Sequence, residues 1–177
     1  MEQQNFSLVK LKEEHLPALA KLEETVYAVP FRTGLPDLIE NLKTMTEDDQ
    51  NFSWGLFHGK ELVGYLIVWR DTSCLNPDED IIFVDDVLIL PQFKSKFILL
   101  YQALREELLE RGLGDMCLEG VSRRQAFELY TKHPLIIRKL GYEMVNSMEF
   151  FDPELGETLF WTRYVPVGNP VNNTPGS

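Results

Sequence analysis

Alternating and helical patterns divide the amino-terminal part of the chain into three elements. Residues 6–11 (FSLVKL) alternate between apolar and polar side chains, which predicts a short strand. Residues 13–27 place their apolar side chains near one face of a helix. A loop containing proline and glycine follows at residues 28–34, and residues 36–45 predict a second helix that begins at a proline.

The middle of the chain predicts three strands. Residues 52–58 and 61–70 are rich in β-branched and aromatic side chains and flank a Gly-Lys pair, which predicts a β-hairpin. After a polar loop, residues 81–90 (IIFVDDVLIL) form an apolar, β-branched run that predicts the fourth strand. Two adjacent carboxyl groups, Asp85 and Asp86, interrupt this run. Because side chains alternate along a strand, we expect at most one of them to point into a given cleft.

The carboxy-terminal part of the chain returns to helices before its last strands. Residues 96–112 carry leucines at helical spacing and end in a glycine stop signal, which predicts a helix. Residues 116–121 predict a fifth strand. Residues 124–141 predict a helix that Pro134 should break or kink, because proline lacks the N–H group that a helix needs. Two final strands are predicted at residues 142–151 and 158–166.

The order of the predicted elements is β-α-α-β-β-β-α-β-α-β-β. Such an order predicts an α/β fold in which a mixed sheet is covered by helices on both faces. A chain of 177 residues suits one domain, which we place at residues 1–166. Residues 167–177 are rich in Gly, Pro and Asn and predict a disordered tail.

Charge and composition narrow the possible partners and the compartment. The chain has 28 acidic and 17 basic residues and a formal net charge of −11, which repels nucleic acid and anionic lipid and favours cationic partners such as amines. We therefore expect no nucleic-acid and no membrane partner. The chain has no run of about 18 apolar residues and no secretory signal pattern. The two cysteines, Cys74 and Cys117, lie far apart and fit a reducing compartment, so we expect a cytoplasmic protein.

Two segments carry motifs with possible chemistry. Residues 91–104 (PQFKSKFILLYQAL) lead from the fourth strand through a basic turn into a helix, and the turn contains no glycine. Further along, Ala126 and Tyr130 are four residues apart, and residues 140–143 read LGYE. The three histidines have no metal-ligand spacing to one another, so we expect no metal site.

The element order and these two segments resemble the GNAT superfamily of N-acetyltransferases, over about residues 6–166. In that family the fourth strand ends in a turn written Q/R-x-x-G-x-G/A, whose amides bind the pyrophosphate of acetyl-coenzyme A at the start of the next helix. The resemblance therefore implies acetyl-coenzyme A as cosubstrate. The implied cosubstrate-binding residues are the strand end and the turn: Val87, Leu88, Ile89, Lys94, Ser95, Lys96, Phe97, Ile98 and Leu99.

The turn departs from the family pattern at both of its small positions. Lys94 stands at the first motif position, and Phe97 and Leu99 stand where the family has glycine and glycine or alanine. Basic character is retained at Lys94 and Lys96. The bulky side chains of Phe97 and Leu99 should obstruct a close approach of phosphate to the backbone, unless they turn into the core. The pyrophosphate motif is thus degenerate.

The resemblance also implies the catalytic groups. In the family a backbone amide of the fourth strand polarises the thioester carbonyl, an acidic side chain takes the proton of the amine, often through water, and a tyrosine often protonates the leaving thiolate. The acid here is Asp85 or Asp86, and the family pattern favours Asp86, just before Val87. The gap between Tyr130 and Gly141 is longer than in the family. Either Tyr130 is the family tyrosine followed by an insertion, or Ile136 takes its place and the acid is missing.

Two functions follow from the resemblance. The first is an N-acetyltransferase that moves an acetyl or acyl group from acetyl-coenzyme A to an amine of a small molecule or a protein. The second is a catalytically inactive protein that kept the fold for binding or structure. Divergent chains of this kind occur in bacteriophages, so a phage origin is a further hypothesis. Residues 142–151 offer a strand edge at which a homodimer would form.

Overall fold

The structure, a computed structural model, describes residues 6–27 and 51–168. The loop predicted at residues 28–34 and the helix predicted at residues 36–45 lie outside the described residues, as do residues 169–177 of the predicted tail. Within the described ranges, no helix combines the length and the apolar character needed to cross a membrane.

The described elements follow the predicted order. The strands are β1 (Phe6–Lys10), β2 (Trp54–His58), β3 (Glu61–Thr72), β4 (Asp80–Ile89), β5 (Leu118–Arg123), β6 (Tyr142–Asp152) and β7 (Glu157–Pro166). The α-helices are α1 (Leu16–Val26), α2 (Phe97–Glu110), α3 (Arg124–Lys132) and α4 (Pro134–Lys139), and 3-10 helices span Glu13–His15 and Pro91–Lys96. The helix predicted at residues 124–141 is interrupted at His133, just before Pro134, as the proline predicts.

The strands form a seven-stranded mixed sheet in the order β1-β2-β3-β4-β5-β7-β6. β4 and β5 are its parallel pair, and the other neighbours are antiparallel. A parallel pair needs a long crossover, which α2 supplies between β4 and β5. The predicted mixed α/β fold is confirmed.

Helices α1 and α2 pack on opposite faces of the sheet. The Tyr65 hydroxyl on β3 lies 3.2 Å from the Glu23 carboxylate on α1. The next residue of β3, Leu66, pairs with Trp54 of β2, and paired residues point to the same face of a sheet. The Trp54 indole N–H donates to Glu107 of α2 at 2.8 Å, so this face carries α2. Because successive side chains of a strand point to opposite faces, the two helices bury different faces. The core therefore has two layers, and leucines such as Leu19, Leu100, Leu104 and Leu108 are at most 1% exposed in it.

β4 and β5 separate soon after they meet. They pair at only three positions, the last of which joins Val84 to Gly120. A Cβ atom at Gly120 would lie 2.8 Å from the Val84 carbonyl oxygen, so glycine permits the close approach of the two strands there. Beyond this point β5 continues to pair with β7 and β4 continues to pair with β3. The facing edges of β4 and β5 diverge and leave an opening in the sheet.

Candidate active site

A cavity of about 390 Å³ occupies the opening between β4 and β5. Its volume is within the usual range of small-molecule sites. Its walls come from both faces of the sheet and consist of Tyr27, Val84, Asp85, Asp86, Val87, Tyr101, Leu104, Arg105, Leu118, Glu119, Gly120, Val121, Ser122, Arg123, Ala126, Tyr130, Ile137, Leu140, Tyr142, Leu155, Leu159, Thr162 and Tyr164. The cavity is therefore a slot through the sheet with a carboxylate-bearing wall and several phenol hydroxyls.

Asp85 and Asp86 both line this cavity, which corrects the expectation that at most one of them would. In the β3–β4 ladder Ile67 faces Asp86 and the next β3 residue, Val68, faces Val84. Asp85 is thus an extra residue on β4, which makes a β-bulge. A bulge interrupts the alternation of side chains and bends the strand locally. Simple alternation therefore fails at this pair.

Asp86 is held by two phenol groups. The Tyr27 hydroxyl donates to one of its oxygens at 3.0 Å and the Tyr65 hydroxyl donates to the other at 2.7 Å. Burial raises the pKa of Asp86, and these two hydrogen bonds act against the burial. The Tyr65 hydroxyl also lies 3.2 Å from the carboxylate of Glu23, a residue of α1 that is 2% exposed. Asp86 therefore faces the α1 side of the sheet, where these acids and phenols form a network.

Asp85 differs from Asp86 in its environment. Although Asp85 is exposed at the surface, desolvation of its carboxylate by the surrounding protein raises its pKa to about 6, and the nearby charges of Asp86 and Glu23 add to the shift. No hydrogen bond from a described residue opposes this shift. A carboxylate with a pKa close to neutrality is well suited to accept and release a proton. Asp85 therefore has the properties of a general base.

Tyr130 and other phenols form the opposite wall. Tyr130 lies on α3 and lines the cavity. Burial raises the pKa of its hydroxyl, and a hydrogen bond with Tyr101 acts against the burial. Ile136, the alternative to Tyr130, does not line the cavity, whereas its neighbour Ile137 does. The cavity thus contains Tyr130, and its role as the general acid stays a prediction.

Ser122 is a cavity residue that the sequence did not single out. It pairs with Phe160 of β7, and Phe160 stacks on Phe127 of α3 at 4.3 Å between ring centroids, so Ser122 faces α3. Its Oγ atom is buried and has no hydrogen-bond partner among the residues that the structure describes. A buried polar atom of this kind is rare and costs free energy unless a ligand or water satisfies it. No local sequence signal distinguishes Ser122 from an ordinary strand serine.

Arg123, also not singled out, lies at the mouth on the α1 side. Its Nε donates to Glu157 at 2.7 Å, and its guanidinium lies 5.8 Å from the centre of the Tyr27 ring. Glu119 lines the cavity wall as well, but its carboxylate is 1% exposed and pairs with Arg163 at 2.9 Å. Arg123 therefore adds a positive charge to an acidic mouth, and Glu119 is bound within the fold.

The implied cosubstrate-binding residues divide into two groups. Val87 lines the cavity, whereas Leu88 is 2% exposed in the core and Ile89 packs against that core. The turn residues all lie outside the cavity wall: Lys94, Ser95, Lys96, Phe97, Ile98 and Leu99. The Lys96 ammonium lies 5.3 Å from the centre of the Phe6 ring on β1. The strand end thus reaches the cavity and the turn does not.

The turn itself is a 3-10 helix, Pro91–Lys96, that continues directly into α2. The Phe93 N–H donates to the Leu90 carbonyl at 2.8 Å, and the Phe97 N–H donates to the Lys94 carbonyl. A 3-10 helix uses each N–H for the carbonyl three residues earlier. The amides that would hold a pyrophosphate are therefore engaged, and the pyrophosphate of coenzyme A does not fit this turn as it is folded. The cavity, in contrast, lies between strand edges that do not pair with each other beyond Val84 and Gly120.

Comparisons with known proteins agree with this geometry at the level of the fold. No protein-family model matches the chain, and no curated protein sequence matches it. Many solved structures are similar to it. The ribosomal-protein-S18-alanine N-acetyltransferase from Escherichia coli has a TM-score of 0.67 and 15% identity, over 96% of this chain and 98% of that chain.

Two further similar structures contain a coenzyme A ligand. The GphF GNAT-like decarboxylase in complex with isobutyryl-CoA has a TM-score of 0.67 and 15% identity, over 90% of this chain and 98% of that chain. The PaiA N-acetyltransferase from Thermoplasma acidophilum in complex with coenzyme A has a TM-score of 0.60 and 13% identity, over 90% of this chain and 99% of that chain. The described chain therefore has the GNAT N-acetyltransferase fold.

Proposed function

We propose that the protein is a GNAT-type N-acyltransferase, which moves an acetyl or related acyl group from a thioester of the coenzyme A type to an amine. The observation that carries this proposal is the cavity between β4 and β5, lined by Asp85 and Asp86 on one side and by Tyr130 on the other. A base for the amine and an acid for the thiolate thus flank one slot. The structural likeness to two N-acetyltransferases supports the same reaction class, and the likeness to two coenzyme A complexes supports a donor of the coenzyme A type.

The proposed reaction needs two proton transfers. The amine nitrogen attacks the thioester carbonyl, the new carbon–nitrogen bond forms, and the carbon–sulfur bond breaks. The amine proton passes to Asp85, and the departing thiolate takes a proton from the Tyr130 hydroxyl, so the products are an amide and a free thiol. Negative charge develops on the carbonyl oxygen beside the open edge of β4, whose backbone beyond Val84 is not paired with β5.

We assign the role of base to Asp85 rather than to Asp86, which the family pattern favours. Both oxygens of Asp86 accept hydrogen bonds from phenols, whereas Asp85 is exposed at the mouth with a pKa of about 6. Asp86 contributes indirectly, because its charge is one cause of the raised pKa of Asp85. Asp86 is therefore a positioning residue and Asp85 the group that touches the amine.

The proposed acceptor is an amine that arrives as a cation. Asp85 and Asp86 make the α1 side of the cavity acidic, and the formal net charge of −11 gives the protein a field that attracts cations. Close to these carboxylates the ammonium group must lose one proton before the nitrogen attacks. Asp85, with a pKa of about 6, can accept this proton and pass it to solvent, because the residue is exposed. Asp85 is then a carboxylate again when the attacking amine gives up its second proton. A small molecule and a protein amine both fit this chemistry.

The second candidate function is a binding protein without catalysis. The observation that favours it is the 3-10 helix, Pro91–Lys96, which uses the amides that pyrophosphate would need. A protein of this kind would retain the fold, and with it the cavity, without turnover. The acidic pair at the mouth and Tyr130 opposite to it make the enzyme the better supported of the two.

Thiol release tests the proposal. Acetyl-coenzyme A and acetyl-pantetheine, each at millimolar concentration, are incubated with a panel of primary amines and amine-bearing peptides. We expect amine-dependent release of free thiol with at least one donor, and we expect Tyr130→Phe to slow it by about 100-fold, as loss of a general acid does. If the folded protein consumes neither donor with any amine, the acyltransferase proposal is wrong and the binding protein takes its place.

A further inference from the structure

Recognition of a pyrophosphate needs free backbone N–H groups at the start of a helix. The segment that follows β4 offers few of them, because the 3-10 helix Pro91–Lys96 runs into α2 without a gap. Phe93 and Phe97 donate to the carbonyls of Leu90 and Lys94. Because Pro91–Lys96 is a 3-10 helix, we expect the amides between them to donate in the same way. An anion at this place would meet a closed ladder of hydrogen bonds.

Aromatic packing holds the 3-10 helix in this form. The Phe93 ring lies 5.5 Å from the Phe6 ring and 5.3 Å from the His58 ring, measured between centroids. The ammonium of Lys96 lies over the Phe6 ring rather than over the helix start. Opening the turn for a phosphate would separate these groups and expose apolar surface, which costs free energy. The closed turn is therefore part of the packed structure.

The cavity, in contrast, retains what a thioester arm needs. The edges of β4 and β5 that face each other are unpaired beyond Val84 and Gly120. A pantetheine arm carries two amide groups, which can bond to such an edge as an added strand does. The buried Oγ atom of Ser122 stands in the cavity wall without a partner among the described residues. One amide of the arm would satisfy it.

We infer that the donor is recognised through its acylated pantetheine arm alone and that the nucleotide half of coenzyme A makes no favourable contact with the protein. The inference rests on the proposed function, because it names the donor class of the same site. The donor class is an acyl-pantetheine thioester, whether coenzyme A or another carrier bears the arm. Ser122 supplies a hydrogen bond to the arm in both cases.

Binding to the full chain tests this inference without turnover. Calorimetry with coenzyme A and with pantetheine should give dissociation constants that agree within about tenfold, which corresponds to about 1.4 kcal/mol. A stronger preference for coenzyme A would overturn the inference. Binding of neither thiol at millimolar concentration would overturn it as well, together with the proposed function. If both thiols bind equally but no amine is acylated, only the proposed function fails.

Two serine substitutions locate the contact. Ser122→Ala should raise the dissociation constants of coenzyme A and pantetheine by the same factor, on the order of fivefold, because one neutral hydrogen bond is lost. Ser95→Ala makes the same chemical change in the exposed turn and serves as the control. In this variant the ratio of the dissociation constants of coenzyme A and pantetheine should be the same as in the parent protein. A loss confined to coenzyme A in Ser95→Ala would place the nucleotide on the turn and overturn the inference. Equal affinities in Ser122→Ala and the parent protein would remove Ser122 from the site.

Discussion

Asp85 and Asp86 are neighbours with different environments, because the β-bulge at Asp85 interrupts the alternation of side chains on β4, and we propose different roles for them on that ground. The sequence identifies Asp85 and Asp86 as the candidate acids, since carboxyl groups are unusual inside an apolar strand. Their orientation could not be predicted, because the bulge depends on how β4 pairs with Val68 and Ile67 of β3. Ser122 escapes prediction for a similar reason. Its lack of a partner is a property of the cavity and not of the neighbouring sequence.

Asp85→Asn and Asp86→Asn should separate the base from the positioning residue. We expect Asp85→Asn to lower kcat/KM by about 100-fold or more, since the amide cannot accept the amine proton. Asp86→Asn should reduce kcat/KM less. Its side chain keeps one oxygen, so only one of the hydroxyls of Tyr27 and Tyr65 still has its acceptor, and loss of the other hydrogen bond should lower the free energy of unfolding by roughly 1–3 kcal/mol. Steady-state kinetics and urea denaturation measure the two effects. A larger kinetic loss in Asp86→Asn would return the role of base to Asp86.

The raised pKa of Asp85 also predicts how stability depends on pH. Its ordinary value is 3.8 and its value in the folded protein is about 6, so between these values the folded state binds more protons than the unfolded state. The contribution of Asp85 to the free energy of unfolding is therefore most favourable below the lower value and is lost as pH rises to about 6. Asp85→Asn should remove this loss.

The difference in Tm between Asp85→Asn and the parent protein should consequently grow as pH rises from 4 to 7, in favour of the variant. Thermal unfolding followed by circular dichroism measures it. A difference that stays constant over this range would show that Asp85 titrates alike in the folded and unfolded states. Such a result would also remove the basis for its role as base.

Elements are predicted well where their cause is local. The interruption before Pro134 follows from the chemistry of one residue, and the helix ends there as expected. The 3-10 helix after β4 is the counterexample, since the sequence predicts only a basic turn at residues 91–96. In the folded protein Phe93 packs against Phe6 and His58, which are distant in sequence, so a local pattern contains no sign of these contacts.

Phe93→Ala should loosen this 3-10 helix. Removal of the ring takes away its contacts with β1 and β2, so the amides from Phe93 to Phe97 should exchange with solvent at least about tenfold faster. Hydrogen exchange followed by mass spectrometry measures the change. Phe83→Ala makes the same substitution on β4, where the ring contacts Trp69, and serves as the control. Unchanged exchange in Phe93→Ala would mean that hydrogen bonds alone hold the turn closed.

At the scale of the whole molecule, the order of elements predicts the mixed sheet, and the parallel pair β4–β5 predicts where the sheet opens. The slot through both faces could not be predicted, because it depends on how far the strands diverge beyond Gly120. Charge acts at this scale as well. The formal net charge of −11 creates a negative field around the protein. This field acts on the phosphates of coenzyme A, with which we infer no favourable contact.

The two donors should therefore respond differently to salt. Acetyl-coenzyme A carries phosphate charges that the field of the protein repels, whereas acetyl-pantetheine is neutral. The screening length falls from about 30 Å at 0.01 M salt to about 8 Å at 0.15 M, so salt should weaken the repulsion. We expect kcat/KM for acetyl-coenzyme A to rise relative to that for acetyl-pantetheine as salt increases, with the same amine in both assays.

The ratio of the two kcat/KM values isolates the nucleotide, since the amine and its own attraction to Asp85 and Asp86 are common to both assays and cancel. If Lys94 and the rest of the turn bound the phosphates, the attraction would be local and salt would lower the ratio instead. The sign of the salt dependence therefore distinguishes a protein that tolerates the nucleotide from one that binds it. A ratio that falls with salt would contradict recognition through the pantetheine arm alone, even if the fold and the acid pair performed the chemistry as proposed.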